Sequence, residues 1–226
     1  MQVTYYGHSC FLVETGGKKL LFDPFISPNE LAKHIDINTI EADYILLSHG
    51  HADHVADAEA IAKRTGATII GAYEVAVWFA GKGIEKYHPM NTGGKWNFDF
   101  GTVKCVNAVH SSGLPDGSYG GNPMGFVITA DKESFYYSGD TALTLDMQLV
   151  PLYKNISFAV LPVGDNFTMD VADAIEAAKM VKCNKVMGVH YDTFGFIKID
   201  KAAAIDAFAK NGITLLLPAI GETITV

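Results

Sequence analysis

Apolar positions along this chain follow two spacings, and the switch between them maps the elements. Short apolar or alternating runs at Val3–Tyr6, Cys10–Glu14 and Lys19–Phe22 read as strands, broken by Gly7-His8 and by Gly16-Gly17. Tyr44–Leu47 is a compact apolar run, as expected of a strand buried on both faces. Over His54–Arg64 the apolar residues Val55, Ala58, Ile61 and Ala62 recur at helical spacing, and Gly66 ends the run. A strand at Ala67–Ile70 and a helix at Tyr73–Ala80 follow. The middle returns to strands at Lys95–Phe100, Val103–Val109, Gly125–Thr129 and Ser134–Tyr137. In the second half Phe158–Val163 leads into a helix at Val171–Val181, and Lys185–Val189 into a helix at Lys201–Lys210. The strands Ile213–Leu217 and Thr223–Val226 complete the pattern. Two successive rounds of strands and then helices predict an α/β fold with two packed sheets and helices outside them, a four-layer αββα sandwich.

Composition changes this picture little. With 226 residues, 49% hydrophobic and 19% charged, the chain matches an ordinary globular protein with a large core, expected here as one domain over 1–226. No run of eighteen apolar residues occurs, so no membrane span is expected. The start, Met1-Gln2-Val3-Thr4-Tyr5-Tyr6, lacks the basic and apolar regions of a secretory signal, and a cytoplasmic protein is expected. A net charge of −8 with scattered lysines and arginines argues against a nucleic-acid partner. Cys10, Cys105 and Cys183 are far apart and lack any CxxC spacing, which favours small buried thiols over a reactive role.

The chemistry concentrates in Ser48-His49-Gly50-His51-Ala52-Asp53-His54, directly after an apolar strand and at a helix start. Imidazoles and carboxylates suit zinc, manganese or iron, and small Gly50 and Ala52 let the loop fold tightly around ions. In an extended loop His49 and His51 point the same way, while Asp53 and His54 turn with the helix toward a second ion.

This loop resembles the signature of the metallo-β-lactamase superfamily, and four further regions of that family have counterparts here in the expected order. Asp23 ends an early strand in Leu20-Leu21-Phe22-Asp23-Pro24, and His110 follows Val103–Val109. Asp140 lies in Tyr137-Ser138-Gly139-Asp140-Thr141, and His190 ends Val186-Met187-Gly188-Val189-His190. The resemblance covers nearly the whole chain. It implies the αββα fold, with His49, His51 and His110 on one metal, Asp53, His54 and His190 on a second, and Asp140 bridging them. It also implies that a hydroxide between two divalent ions, zinc foremost with manganese, iron or nickel as alternatives, attacks the substrate with Asp53 orienting it. Asp23 is expected to order the histidine loop rather than to bind metal.

Departures narrow the branch. His51 stands where flavodiiron oxygen reductases usually carry glutamate, and Asp140 where the commonest ring-opening lactamases carry cysteine. The segment Gly7-His8-Ser9-Cys10-Phe11-Leu12-Val13-Glu14 is similar to the branch of ascorbate-6-phosphate lactonase and N-acylphosphatidylethanolamine phospholipase D. It is more similar still to a family of compact bacterial and archaeal metal-dependent hydrolases, which the segments Leu161–Asp170 and His190–Phe194 also resemble.

The expected activity is therefore hydrolysis of a small-molecule ester, lactone, amide or phosphodiester. Two other readings stay open: a metal- or metabolite-binding protein without turnover, and a nuclease. A homo-oligomer is compatible with either. Around the site, His8 is a candidate hydrogen-bond donor or general acid to a leaving group, or a strand-edge histidine bonded to backbone. Thr168 or Asp170 is expected to cap the helix at Val171–Val181. Tyr191 is a candidate substrate contact or a packing residue. The loop 111–123, with four glycines and two prolines, is expected to shape the pocket, with Tyr119 a possible contact. His34 and His88 are not expected to be ligands, and His88-Pro89 reads as a turn.

Overall fold

The computed structural model describes residues 1–226. The first half of the chain begins with a meander of β1 (Gln2–Gly7), β2 (Cys10–Thr15) and β3 (Lys18–Phe22). Gly16 and Gly17 both take positive φ, 56° and 70°, as a two-residue hairpin of primed type requires. Then come β4 (Tyr44–Leu46), helices α1 (Ala52–Val55) and α2 (Ala58–Thr65), β5 (Thr68–Ala72), α3 (Tyr73–Gly81) and β6 (Tyr87–Met90). The second half repeats the plan with β7 (Lys95–Phe98), β8 (Gly101–Asn107), β9 (Met124–Ala130) and β10 (Glu133–Tyr137). It continues with α4 (Val150–Tyr153), β11 (Phe158–Pro162), α5 (Val171–Met180), β12 (Lys185–Val189), α6 (Lys201–Lys210), β13 (Thr214–Leu216) and β14 (Thr223–Thr225).

Two mixed seven-stranded sheets result, ordered β14-β1-β2-β3-β4-β5-β6 and β13-β12-β11-β10-β9-β8-β7. In each, an antiparallel stretch gives way to parallel strands at a central strand, β3 in one and β10 in the other. The final strand β14 returns to the first sheet beside β1. Alternation along the strands divides the core into two layers. Phe135 and Tyr137 of β10, with Phe126 and Ile128 of β9, face the first sheet and its residues Phe11, Leu20 and Phe22. Tyr136 and Val127 face the other way, onto Ala174, Ala177 and Ala178 of α5 and Phe208 of α6. Helices α2 and α3 cover β5 and β6 on the far side of the first sheet. The expected αββα sandwich is thus the observed architecture.

Local differences have local causes. The single helix expected over His54–Arg64 is broken after Val55, because buried Asp57 turns its Oδ2 to accept from the amides of Ile26 (2.7 Å) and Ser27 (2.9 Å). The turn expected at His88-Pro89 is instead the edge strand β6, where a proline removes no needed donor. The short α4 and the single turns before it carry no periodicity long enough to read. No helix is long and apolar enough to cross a membrane. All three cysteines are free and buried.

Candidate metal centre

Carboxyl ends of strands meet at one edge of the sandwich, where crevices in α/β sheets usually bind ligands. Strand β1 delivers His8, β3 delivers Asp23, β4 delivers Ser48 and His49, β10 leads to Asp140, and β12 ends at His190. His110 arrives by three residues beyond β8. The seven side chains singled out as ligands all converge there, six in two groups and Asp140 between them.

His49, His51 and His110 form the first group, their nearest ring atoms within 4.8 Å of one another. Nε2 of His49 lies 2.9 Å from Nδ1 of His51. The second group joins Asp53, His54 and His190, and includes His8. Asp140 lies between: its Oδ2 is 3.1 Å from His54 Nε2, 3.0 Å from His190 Nε2 and 3.8 Å from His110 Nε2. His49, His54, Asp140 and His190 are buried, while His51, Asp53 and His110 reach the opening.

Behind the cluster Asp23 orders it. Its Oδ1 accepts from the Ser48 amide (2.8 Å), and its Oδ2 accepts from Ser48 Oγ (2.5 Å), Tyr137 OH (2.5 Å) and His54 Nδ1 (2.8 Å). Since the Ser48 hydroxyl gives its proton to Asp23, its oxygen accepts from His49 Nδ1 at 2.9 Å. One carboxylate thus fixes the Nδ1 side of a histidine in each group and turns Nε2 of His49 and of His54 toward the cluster. Ser48 and Tyr137 were not legible as partners, although Ser48 abuts the candidate ligand His49 and Tyr137 lies three residues before Asp140.

Electrostatics fit cation binding. Burial holds the imidazoles of His51 and His110 below their usual range and that of His49 well below it, so all three are neutral and ligand-ready. For Asp140 burial pushes upward, but His190 and His54 more than reverse it and leave the carboxylate ionised. Asp53 likewise stays low despite burial, held by its bond to His8. His54 is the counterpart: burial lowers it, yet Asp140 and Asp23 raise it well above the usual range. His54 Nε2 and Asp140 Oδ1 are buried without a hydrogen-bond partner, although Nε2 lies 3.1 Å from Asp140 Oδ2. Buried polar atoms left this way are what a divalent cation satisfies. The donor set therefore fits metal.

The surrounding candidates separate. His8 is 1% exposed, with Nδ1 3.0 Å from Thr193 Oγ1 and Nε2 3.1 Å from Asp53 Oδ2. It stands behind Asp53 and does not line the pocket, so its placement suits orienting Asp53 rather than meeting a leaving group. Burial pushes the His8 imidazole down to about 4 against the pull of Asp53. Tyr191 is buried and stacked on Tyr5 at 6.4 Å, a packing position. Asp170, not Thr168, caps α5 by accepting from the Asp173 amide at 2.7 Å. Of the loop 111–123, only Ser111 lines the pocket. Ser112 buttresses the histidine loop instead, accepting from the Gly50 amide at 3.1 Å and donating to Gly120 O at 2.9 Å. Tyr119 bonds Asn122 and does not line the pocket. His34 and His88 belong to neither group.

A two-sheet sandwich with paired histidine–aspartate groups at its strand ends defines a metallo-β-lactamase fold. Residues 18–191 match the profile of the Beta-lactamase superfamily domain, and the chain belongs to that superfamily. A Flavobacterium johnsoniae protein named UPF0173 metal-dependent hydrolase is 54% identical over 224 residues, 99% of each chain. The Bacillus subtilis protein YtkL, of the same name, is 42% identical over 229 residues, again 99% of each. Among solved structures, Igni18, described as a novel metallo hydrolase from Ignicoccus hospitalis, superimposes with a TM-score of 0.89. It is 31% identical over 99% of this chain and 97% of its own.

Proposed function

We propose that this member of the metal-dependent hydrolase family holds two divalent cations and hydrolyses a small-molecule ester, lactone, amide or phosphodiester. His49, His51 and His110 hold one ion, Asp53, His54 and His190 the other, and Asp140 is shared. The observation that carries this reading is the buried, unpartnered pair His54 Nε2 and Asp140 Oδ1 at the junction of the two groups. When bound, two such ions supply Lewis acidity and a hydroxide that is nucleophilic near neutral pH.

The chain's own residues do the rest. Asp23 and Ser48 hold the Nδ1 sides of His54 and His49, so both Nε2 atoms already face the ions, His49 with a lone pair and His54 with a proton to give up. His8 clamps Asp53, whose carboxylate is the more exposed of the two that line the pocket and so placed to hold the attacking water's proton. Ser111 Oγ, 3.3 Å from His51 Nε2, is a hydroxyl at the pocket edge able to bond a substrate oxygen. The nuclease reading is disfavoured because no lysine or arginine lines the pocket to meet a phosphate backbone.

Metal analysis of the purified protein, with turnover assayed after chelation and after readdition of zinc or manganese, tests the reading. Two equivalents of metal and restored hydrolysis are expected, and His51→Ala and Asp140→Ala should lose metal and activity together. Full turnover by Asp140→Ala at unchanged metal content refutes the shared-ligand assignment.

A further inference from the structure

The opening over the cluster, about 920 Å³, is walled by rings. Phe25, Phe167, Phe194 and Phe196 line it beside Ser111 and Thr193, and no cationic lysine or arginine does. The rings form two pairs, Phe25 with Phe194 at 6.2 Å between centroids and Phe167 with Phe196 at 6.3 Å. The first pair also edges onto His8, at 5.4 and 5.3 Å. Phe25 is buried, but Phe194, Phe167 and Phe196 keep 37%, 49% and 76% of their surface exposed. Rings left in water around a polar cluster are not packing; they are the apolar lining typical of a small-molecule pocket.

The backbone beneath these rings is built for them. Asp165 and Asn166, directly before Phe167, have φ of 64° and 57°, and Asp192, two residues before Phe194, has 63°. Residues with side chains rarely adopt such values, and they persist only where surrounding bonds impose them. Here the Phe167 amide donates to Asp165 O (2.6 Å), the Asp192 amide to Ile197 O (2.7 Å) and the Ile199 amide to Asp192 Oδ1 (3.2 Å). Both loops therefore hold their phenylalanines in set positions.

We propose, resting on the hydrolase reading above, that the substrate is an uncharged carboxylic ester or lactone with an aromatic ring on its acyl side. The ring packs against the Phe25–Phe194 and Phe167–Phe196 pairs, and the carbonyl faces Asp53 and Asp140. Water adds across the acyl C–O bond: its hydroxyl goes to the carbonyl carbon and its proton to the departing alkoxide, giving an acid and an alcohol. A phosphodiester anion finds no ammonium or guanidinium in this wall, whereas a neutral aromatic body gains from edge-to-face contact and from covering wet ring surface.

The test compares methyl phenylacetate with methyl acetate by pH-stat on metal-loaded protein, with bis(4-nitrophenyl) phosphate as the anionic control. In parallel, ligand-observed NMR measures binding of phenylacetone, an inert ketone of the same shape, against butanone. Methyl phenylacetate is expected to exceed methyl acetate in kcat/KM by about tenfold or more. Phe194→Ala and the more exposed Phe196→Ala should each lower that ratio and weaken phenylacetone binding. Binding of phenylacetone with no turnover of either ester or of the phosphodiester counts against the hydrolase reading, overturns the ester assignment and sustains the aromatic pocket. Equal turnover of both esters, preference for the phosphodiester, or phenylacetone binding no better than butanone overturns the pocket assignment. Turnover of the esters then leaves the hydrolase reading standing.

Discussion

Replacing Asp23 by asparagine isolates what the buried carboxylate does for the metal centre. The substitution keeps shape and volume, and the amide oxygen can still accept from the Ser48 amide as Oδ1 does now. The change falls on Oδ2, which accepts three bonds, from Ser48 Oγ, Tyr137 OH and His54 Nδ1. An NH2 group there meets three former donors with two protons of its own. The Tyr137 hydroxyl can rotate to accept one. Ser48 Oγ already accepts from His49, so its own proton loses its partner. His54 can accept the other proton only by giving up its hydrogen on Nδ1 and keeping one on Nε2, the atom an ion would need free. Two charge-assisted bonds lost at about 1.5–3 kcal/mol each put the stability cost near 3–6 kcal/mol. That is a large part of the total for most domains, about 5–15 kcal/mol. The tautomer change should weaken the second ion by about 10–100-fold, the range usual when the partner of a ligating histidine is removed.

Urea denaturation gives the first number and chelator competition the second, while long-range nitrogen–proton NMR reads the His54 tautomer directly. Tyr137→Phe is the control: it removes one donor to Asp23 and leaves the histidine tautomers alone, so about 1.5–3 kcal/mol of stability should go without loss of metal affinity. If the Asp23→Asn protein binds two equivalents as tightly as the parent and keeps its Nδ1 proton on His54, the relay through Asp23 does not operate.

Two further outcomes follow from the buried groups. Because Asp140 and Asp23 raise His54 well above the usual imidazole range despite its burial, the metal-free protein carries a proton there at neutral pH that an ion must displace. Metal affinity should rise with pH up to the His54 pKa, and calorimetry in buffers of different ionisation enthalpy should show proton release on binding; uptake without release refutes it. The three thiols should be silent to a thiol reagent at pH 8 in the native state and all react after unfolding. Burial lifts each of them, Cys105 to about 12, and a fast-reacting native thiol contradicts that placement.

What the sequence made legible is what repeats or clusters. The two rounds of strands and helices follow from period-2 and period-3.6 apolar spacing, and the paired seven-stranded sheets are those rounds folded face to face. The histidine loop is legible because four donors crowd into six positions, and the isolated His110, Asp140 and His190 because each follows a strand. Features set by contacts between distant residues left no such trace. Asp57 breaks the first helix by bonding amides thirty residues away, and neither partner marks the other in the sequence. Tyr137 reaches Asp23 across 114 positions, and a tyrosine in an apolar strand reads as core until its hydroxyl is located. The aromatic wall is the clearest case. Phe25 trails a ligand-like aspartate, Phe167 sits in a turn, and Phe194 and Phe196 straddle a glycine, so no spacing unites them. Left-handed turns at Asp165, Asn166 and Asp192 carry three of the four rings to the opening, and those conformations arise from hydrogen bonds closed by the folded loops. The polar half of the site, in which each ligand is chemically distinctive, could therefore be read one residue at a time. The apolar half depends on where ordinary residues point, and with it the choice of substrate waits on the fold.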